Sequence, residues 1–156
     1  MLVLDTSSGI THEIEIIPLE EADYKRLSKE KYYFDWKTER EYEVYKLQIL
    51  GSNEILGLIS LERIPSEWRV HIRLLTVSKQ NKGSTKQHEH IAGNLIAFAA
   101  TIAVRDYAEF ACISLRPKSQ IAQHYIDKYK MTPTGRILSV EVPEIIDLIN
   151  QYDHEN

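Results

Sequence analysis

One change of period limits what this chain can fold into. From Glu67 to Val77 the apolar residues Val70, Ile72 and Leu74 alternate with Arg69, His71 and Arg73, the period-two pattern of a half-buried strand. From His90 the apolar positions become Ile91, Leu95, Phe98 and Ile102, flanked by Ala92, Ile96, Ala99 and Ala103, which is a helix with a wide apolar face. Between them, Ser78 to Glu89 is polar and carries Lys79, Lys82 and Lys86 around Gly83, so it reads as a loop. A basic loop that leads from a strand into a helix is a natural anion site, because a helix start offers unpaired N–H donors and the positive end of its dipole.

The remaining segments arrange themselves around this unit. Glu13 to Ile17 alternates and is closed by Pro18, and Glu20 to Leu27 places acids first and bases last, as suits a helix dipole. Lys31 to Trp36 is dense in aromatics, readable either as a core cover or as the wall of an acceptor pocket. Two strands, Tyr42 to Leu50 and Ile55 to Glu62, follow, joined by the turn Gly51-Ser52-Asn53-Glu54. After the central helix come a buried strand, Phe110 to Leu115, a helix from Ser119 to Met131, a last strand from Arg136 to Val142, and a terminal helix from Pro143 to Tyr152. The expectation is an α+β fold with a mixed sheet of about six strands flanked by helices, in a single domain over 1–156, with 1–12 a loosely held lead-in and 153–156 a flexible tail.

Two stretches carry a resemblance. Gln87-His88-Glu89-His90-Ile91-Ala92-Gly93-Asn94-Leu95-Ile96 is similar to motif A of the GNAT N-acetyltransferase superfamily, with Gln87, Ala92, Leu95 and Ile96 matching by position and His90 standing where the middle Gly is expected. Ser119 to Met131 resembles motif B: Ala122 and Tyr125 fit, while Ser119 replaces an Asn, Ile126 occupies the usual Tyr position and Lys130-Met131 replaces Gly-Phe. The resemblance implies a GNAT-like fold and direct attack of an amine on the thioester of acetyl-CoA; the alternative, motivated by His90 and Ile126, is a GNAT-fold module that binds CoA or a protein without catalysis. It implies that the backbone from Gly83 to Gly93, including Gln87, His88, Glu89, His90, Ile91 and Ala92, cradles the pyrophosphate, with Lys82 and Ser119 as further partners. It also implies that Leu75 and Val77 pair with pantetheine in a splayed gap between two parallel strands, and that a Tyr acts as general acid for the leaving thiolate; with Ile126 at that position, the substitutes are Tyr125 and Tyr129, four apart on one helical face, with Tyr125 the candidate.

A base must take the proton of the attacking amine. Glu43, Glu62, Glu67 and His71 border the implied acceptor site, and His71 titrates nearest neutrality, although a His between two Arg on one strand is also the pattern of a solvated face. His88, Glu89 and His90 offer N and O ligands, but two histidines two apart in a loop with no confirmed third ligand make a weak metal signal, and no metal is expected. The net charge of −4 disfavours a nucleic acid partner, including a charged transfer RNA, and leaves a small-molecule or protein amine as acceptor. A homodimer is compatible with the resemblance. No run is apolar enough to span a membrane, no leader is expected, and the lone Cys112 suits a reducing cytoplasm.

Overall fold

Alternation and helical periodicity produce the expected elements in the expected order. The computed structural model describes residues 1–81, 87–117, 122–134 and 137–153. The strands are β1 (Leu2–Asp5), β2 (Thr11–Pro18), β3 (Glu43–Ile49), β4 (Gly57–Ile64), β5 (Arg69–Val77), β6 (His88–Glu89), β7 (Cys112–Leu115), β8 (Thr132–Thr134) and β9 (Ile137–Glu141). The helices are α1 (Lys29–Tyr32), α2 (Ile91–Tyr107), α3 (Ala122–Tyr129) and α4 (Glu144–Tyr152). The stretch read as a first helix is a 3-10 turn, Glu21–Arg26. Among the described residues, no helix is long and apolar enough to cross a membrane.

The chain forms two compact units, Met1–Ser60 with Leu74–Ile96 and Leu61–Arg73 with Ala97–Asp153; β4, β5 and α2 each contribute to both. In the first unit the strand order is β6, β1, β2, β3, the first half of β4 and the second half of β5. Its core is a cluster of Tyr24, Leu27, Tyr32, Trp36, Val44, Ile55 and Leu58, with Leu19, Phe34 and Leu74 packed against it. Trp36 is fully buried, its Nε1–H donates to Tyr32 O at 3.2 Å, and Tyr32 Oη donates to Ile55 O at 3.0 Å. The aromatic segment is therefore core, with its polar tips satisfied on backbone carbonyls.

In the second unit the order is the second half of β4, the first half of β5, then β7, β9 and β8. β5 and β7 run parallel in register from Arg69↔Cys112 to Ile72↔Leu115, and β9 pairs antiparallel with β7 from Cys112↔Glu141 to Leu115↔Leu138. Cross-strand partners share a face. One face is thus Val70, Ile72, Ile113, Leu115, Leu138 and Val140, all buried, and the other is Arg69, His71, Cys112, Ser114, Ser139 and Glu141.

Two expectations need correcting. Among the described residues nine strands form rather than about six, the additions being β1, β6 and β8. Residues 1–12 are not loosely held: β1 pairs with β2 and with β6, and Val3 is fully buried. The turn chemistry from Asp5 to Gly9 is real, but it closes a hairpin. Asp5 Oδ1 accepts from Ser7 N, Ser7 Oγ and Ser8 N, which holds its carboxyl below the ordinary range, and Gly9 takes φ +73°. Of the expected tail, residues 154–156 lie outside the described ones.

Candidate active site

In the first unit the start of α2 is fixed from three sides. Gly57, at the head of β4, is a close approach: a Cβ there would stand 2.7 Å from Ile91 Cγ2, 3.0 Å from Leu95 Cδ1 and 3.1 Å from Thr76 O. Only a glycine lets the helix sit this near the strands. Asn94 is fully buried and its Nδ2 donates to Leu2 O at 2.8 Å and His90 O at 2.7 Å, tying the first turn to β1. Its Oδ1 has no partner among the described residues.

The residues before the helix are stitched back to the end of β5. Asn81 Oδ1 accepts from His88 N at 2.7 Å and from His88 Nδ1 at 3.1 Å, while Asn81 Nδ2 donates to the buried Ser78 Oγ at 2.8 Å. Gln87 N donates to Gln80 O at 3.0 Å, and Thr6 N donates to Gln87 O at 2.9 Å. The amides of Gln87 and His88 are therefore committed within the protein. Those of the helical turn are different: the first helical bond runs from Asn94 N to His90 O, so by helix geometry Ile91, Ala92 and Gly93 have no intrahelical acceptor.

His90 adopts φ +75°, the left-handed region that favours glycine, and is exposed. The backbone shape expected of Gly at this position is present although the side chain is not Gly. Beside the turn after β5, a cleft of about 370 Å³ is lined by Ser28, Glu30, Lys31, Lys79 and Gln80, within the range of small-molecule sites. Leu75 and Val77 are half-buried at the end of β5, past Ile72, the last residue in register with β7. Gln87 is exposed, His88 and Glu89 are half-buried, and Ile91 and Gly93 are buried with Ala92 half-buried between them. Lys82, Gly83 and Ser119 lie outside the described residues.

In the second unit, His71 and Tyr125 occupy two separate clusters. His71 Nδ1 lies 2.8 Å from Ser114 Oγ and 3.4 Å from Arg69 Nη1, and Arg69 Nη1 donates to Ser114 Oγ at 2.7 Å. Arg69 is itself held by Glu67 Oε2, from Nε at 2.8 Å and from Nη2 at 2.5 Å. Burial and the Arg69 charge push the His71 imidazole below its usual range. Cys112, half-buried on the same face, has its thiol pushed up by burial and by Glu141.

On α3, Tyr125 and Tyr129 stand 5.8 Å apart by ring centroids, His124 meets both edge-on at 5.9 Å, and Tyr129 lies 6.3 Å from Tyr152. Tyr129 is buried, and its phenol is pushed far up by burial and by the neighbouring Tyr152 and Tyr125. That phenol packs. Tyr125 is half-buried and raised by burial alone, so it keeps its proton through the neutral range. Sequence reasoning passed over Gly57, Asn81, Asn94 and Ser114. Of these, Ser114 left a signal, as the one hydroxyl in the apolar run from Phe110 to Leu115.

No protein-family model and no curated protein matches the chain. Solved structures do. A mutant AtaT toxin bound to the C-terminus of the antitoxin AtaR and acetyl-CoA is 15% identical, with 89% of this chain and 99% of that chain covered at a TM-score of 0.61. The NatC complex bound to Gag peptide and CoA gives 16%, 83% and 99% at 0.61. A putative streptothricin acetyltransferase from Bacillus anthracis, in complex with acetyl coenzyme A, gives 13%, 83% and 98% at 0.61. At these identities the likeness concerns the backbone, and it spans most of this chain and nearly all of each of the others. The fold of this chain is that of the GNAT N-acetyltransferases.

Proposed function

We propose that this chain is an acyl-CoA N-acyltransferase that moves the acetyl group of acetyl-CoA to the amine of a small molecule or protein by direct attack. The observation that carries the reading is the start of α2, where the amides of Ile91, Ala92 and Gly93 follow a left-handed residue 90. Donors at a helix start, aided by the dipole, suit a diphosphate. That the three structural neighbours hold acetyl-CoA or CoA supports the same ligand here.

In this reading the cofactor-binding stretch runs from Gly83 through Gln87, His88, Glu89 and His90 to Gly93, with the amides of Ile91, Ala92 and Gly93 as its donors because those of Gln87 and His88 are held within the protein. Lys82 supplies charge, Ser119 a hydroxyl, and Leu75 and Val77 a main-chain edge for pantetheine. His71 and Tyr125 are the side chains placed beside the reacting groups, and of the two Tyr125 is the one that gives up a proton. An attacking amine must be neutral, and a departing thiolate needs a proton, which Tyr125 retains at neutral pH. The half-buried thiol of Cys112 is compatible with a cytoplasmic setting, and a homodimer with the reading.

Titration calorimetry with acetyl-CoA tests binding, and thiol release with a panel of amines tests turnover. Gln87→Glu sets a carboxylate beside the diphosphate and is expected to weaken binding several-fold, as is Gly93→Leu by bulk. Unchanged affinity in both variants would remove the helix start from the site. Absence of binding heat at millimolar acetyl-CoA would end the transferase reading.

A further inference from the structure

Ser114 is fully buried, and among the described residues its hydroxyl has two partners, Arg69 Nη1 at 2.7 Å and His71 Nδ1 at 2.8 Å. A guanidinium donates and never accepts, so Arg69 takes one lone pair of Oγ. The hydroxyl proton is then left with a single acceptor, Nδ1 of His71. Turning the bond round, with Nδ1–H directed at Oγ, would bury that hydroxyl proton without a partner. It would also set an N–H of His71 against the Arg69 donor, which lies 3.4 Å from the same nitrogen. A neutral imidazole carries one N–H, and here that leaves Nε2 to bear it. Nε2 has no hydrogen-bond partner among the described residues, and the ring is half-buried.

We infer that Ser114, oriented by Arg69, fixes His71 as the Nε2–H tautomer, making it a hydrogen-bond donor to an oxygen of the acyl acceptor instead of the group that takes the amine's proton. The substrate half of this inference rests on the transferase reading; the tautomer half does not. Glu67 completes the arrangement by accepting from Nε and Nη2 of the Arg69 guanidinium, so the direction of every donor in the chain Glu67, Arg69, Ser114, His71 is set. An acceptor matched to it carries a carbonyl or carboxylate oxygen near its amine, the chemistry of an amino acid or peptide terminus. Ser114 and Arg69 are positioning residues.

The first test is imidazole ¹⁵N NMR of the full chain at neutral pH without ligand. Nδ1 of His71 should resonate as the unprotonated nitrogen and Nε2 as the protonated one; the reverse assignment overturns the inference. Ser114→Ala should shift His71 toward the other tautomer and Ser114→Thr should restore it. An unmoved spectrum in Ser114→Ala removes the positioning role.

Kinetics test the substrate half. Glutamine can donate but cannot take a proton, so His71→Gln should lose about tenfold in kcat/KM and His71→Ala about a hundredfold. Equal losses in the two variants would make His71 a base. Among L-alanine, alaninamide and isopropylamine as acceptors, the two that bear an oxygen should lose more in His71→Ala, and which of them loses most separates carboxylate from carbonyl. Equal losses across all three overturn the oxygen contact. Should the unaltered protein acetylate none of them, the transferase reading fails on its own account, while the NMR assignment still decides the tautomer.

Discussion

The start of α2 and the body of α3 each depart from the GNAT motifs at a position tied to the chemistry, yet the two departures differ in kind. At the start of α2 the expected Gly is His90, and the backbone still takes φ +75°. At α3 the expected Tyr is Ile126, and no backbone geometry supplies a phenol. Donors that belong to the main chain survive a change of side chain, whereas an acid that belongs to a side chain must be found elsewhere or lost. In the proposed reading Tyr125, half-buried and protonated at neutral pH, takes that place, since Tyr129 packs against Tyr152.

The sharpest way to break this contrast is Tyr125→Phe. If the phenol replaces the missing acid, turnover falls by about 10² to 10⁴ with acetyl-CoA affinity unchanged; an unaltered rate would clear α3 of any chemical part. Next is Gly57→Val, which forces atoms into the 2.7 Å gap beneath Ile91. It should cost about 1–3 kcal/mol in denaturant melts and weaken acetyl-CoA binding, because the helix start must move. Equal binding with lower stability would separate the position of the helix from the ligand.

A pH series separates the two regions without mutation. Tyr125, Tyr129 and Tyr152 all have folded-state values raised by burial. A raised value means that the contribution to stability is complete below the unfolded value of about 10 and is lost as pH rises through the folded one, so thermal melts should fall above about pH 10. Tyr129→Phe should blunt that fall, and an identical alkaline slope would place its origin outside this cluster. The smallest effect belongs to His90→Gly. Relief of the left-handed strain, about 1 kcal/mol, is nearly offset by the entropy of glycine in the unfolded chain. Stability should move by no more than about 0.5 kcal/mol, and acetyl-CoA affinity should hold or rise. A clear loss of affinity would mean that the imidazole itself holds the ligand.

The order of strands and helices was legible because alternation and helical period are local properties of the chain, as in Val70-Ile72-Leu74 and Ile91-Leu95-Ile102. The motifs of α2 and α3 were legible as a resemblance. What was not legible depends on pairing between distant segments. Leu2–Asp5 reads as a lead-in because the partners on one of its two sides, His88–Glu89, lie far along the chain inside a polar stretch with no strand signature. The contact between His71 and Ser114 arises from the parallel register of β5 with β7, which no spacing within either strand reveals. His90's backbone conformation was hidden for the opposite reason: its side chain argues against the very geometry it adopts.

The hairpin edge formed by β1 makes the amino-terminal residues structural supports for a loop more than eighty positions away. Leu4 and Asp5 supply the backbone ladder for Glu89 and His88, and the Leu2 carbonyl receives the side-chain amide of Asn94. Clipping those first five residues would therefore act at a distance, freeing the segment that launches α2 while leaving every group on the helix chemically intact.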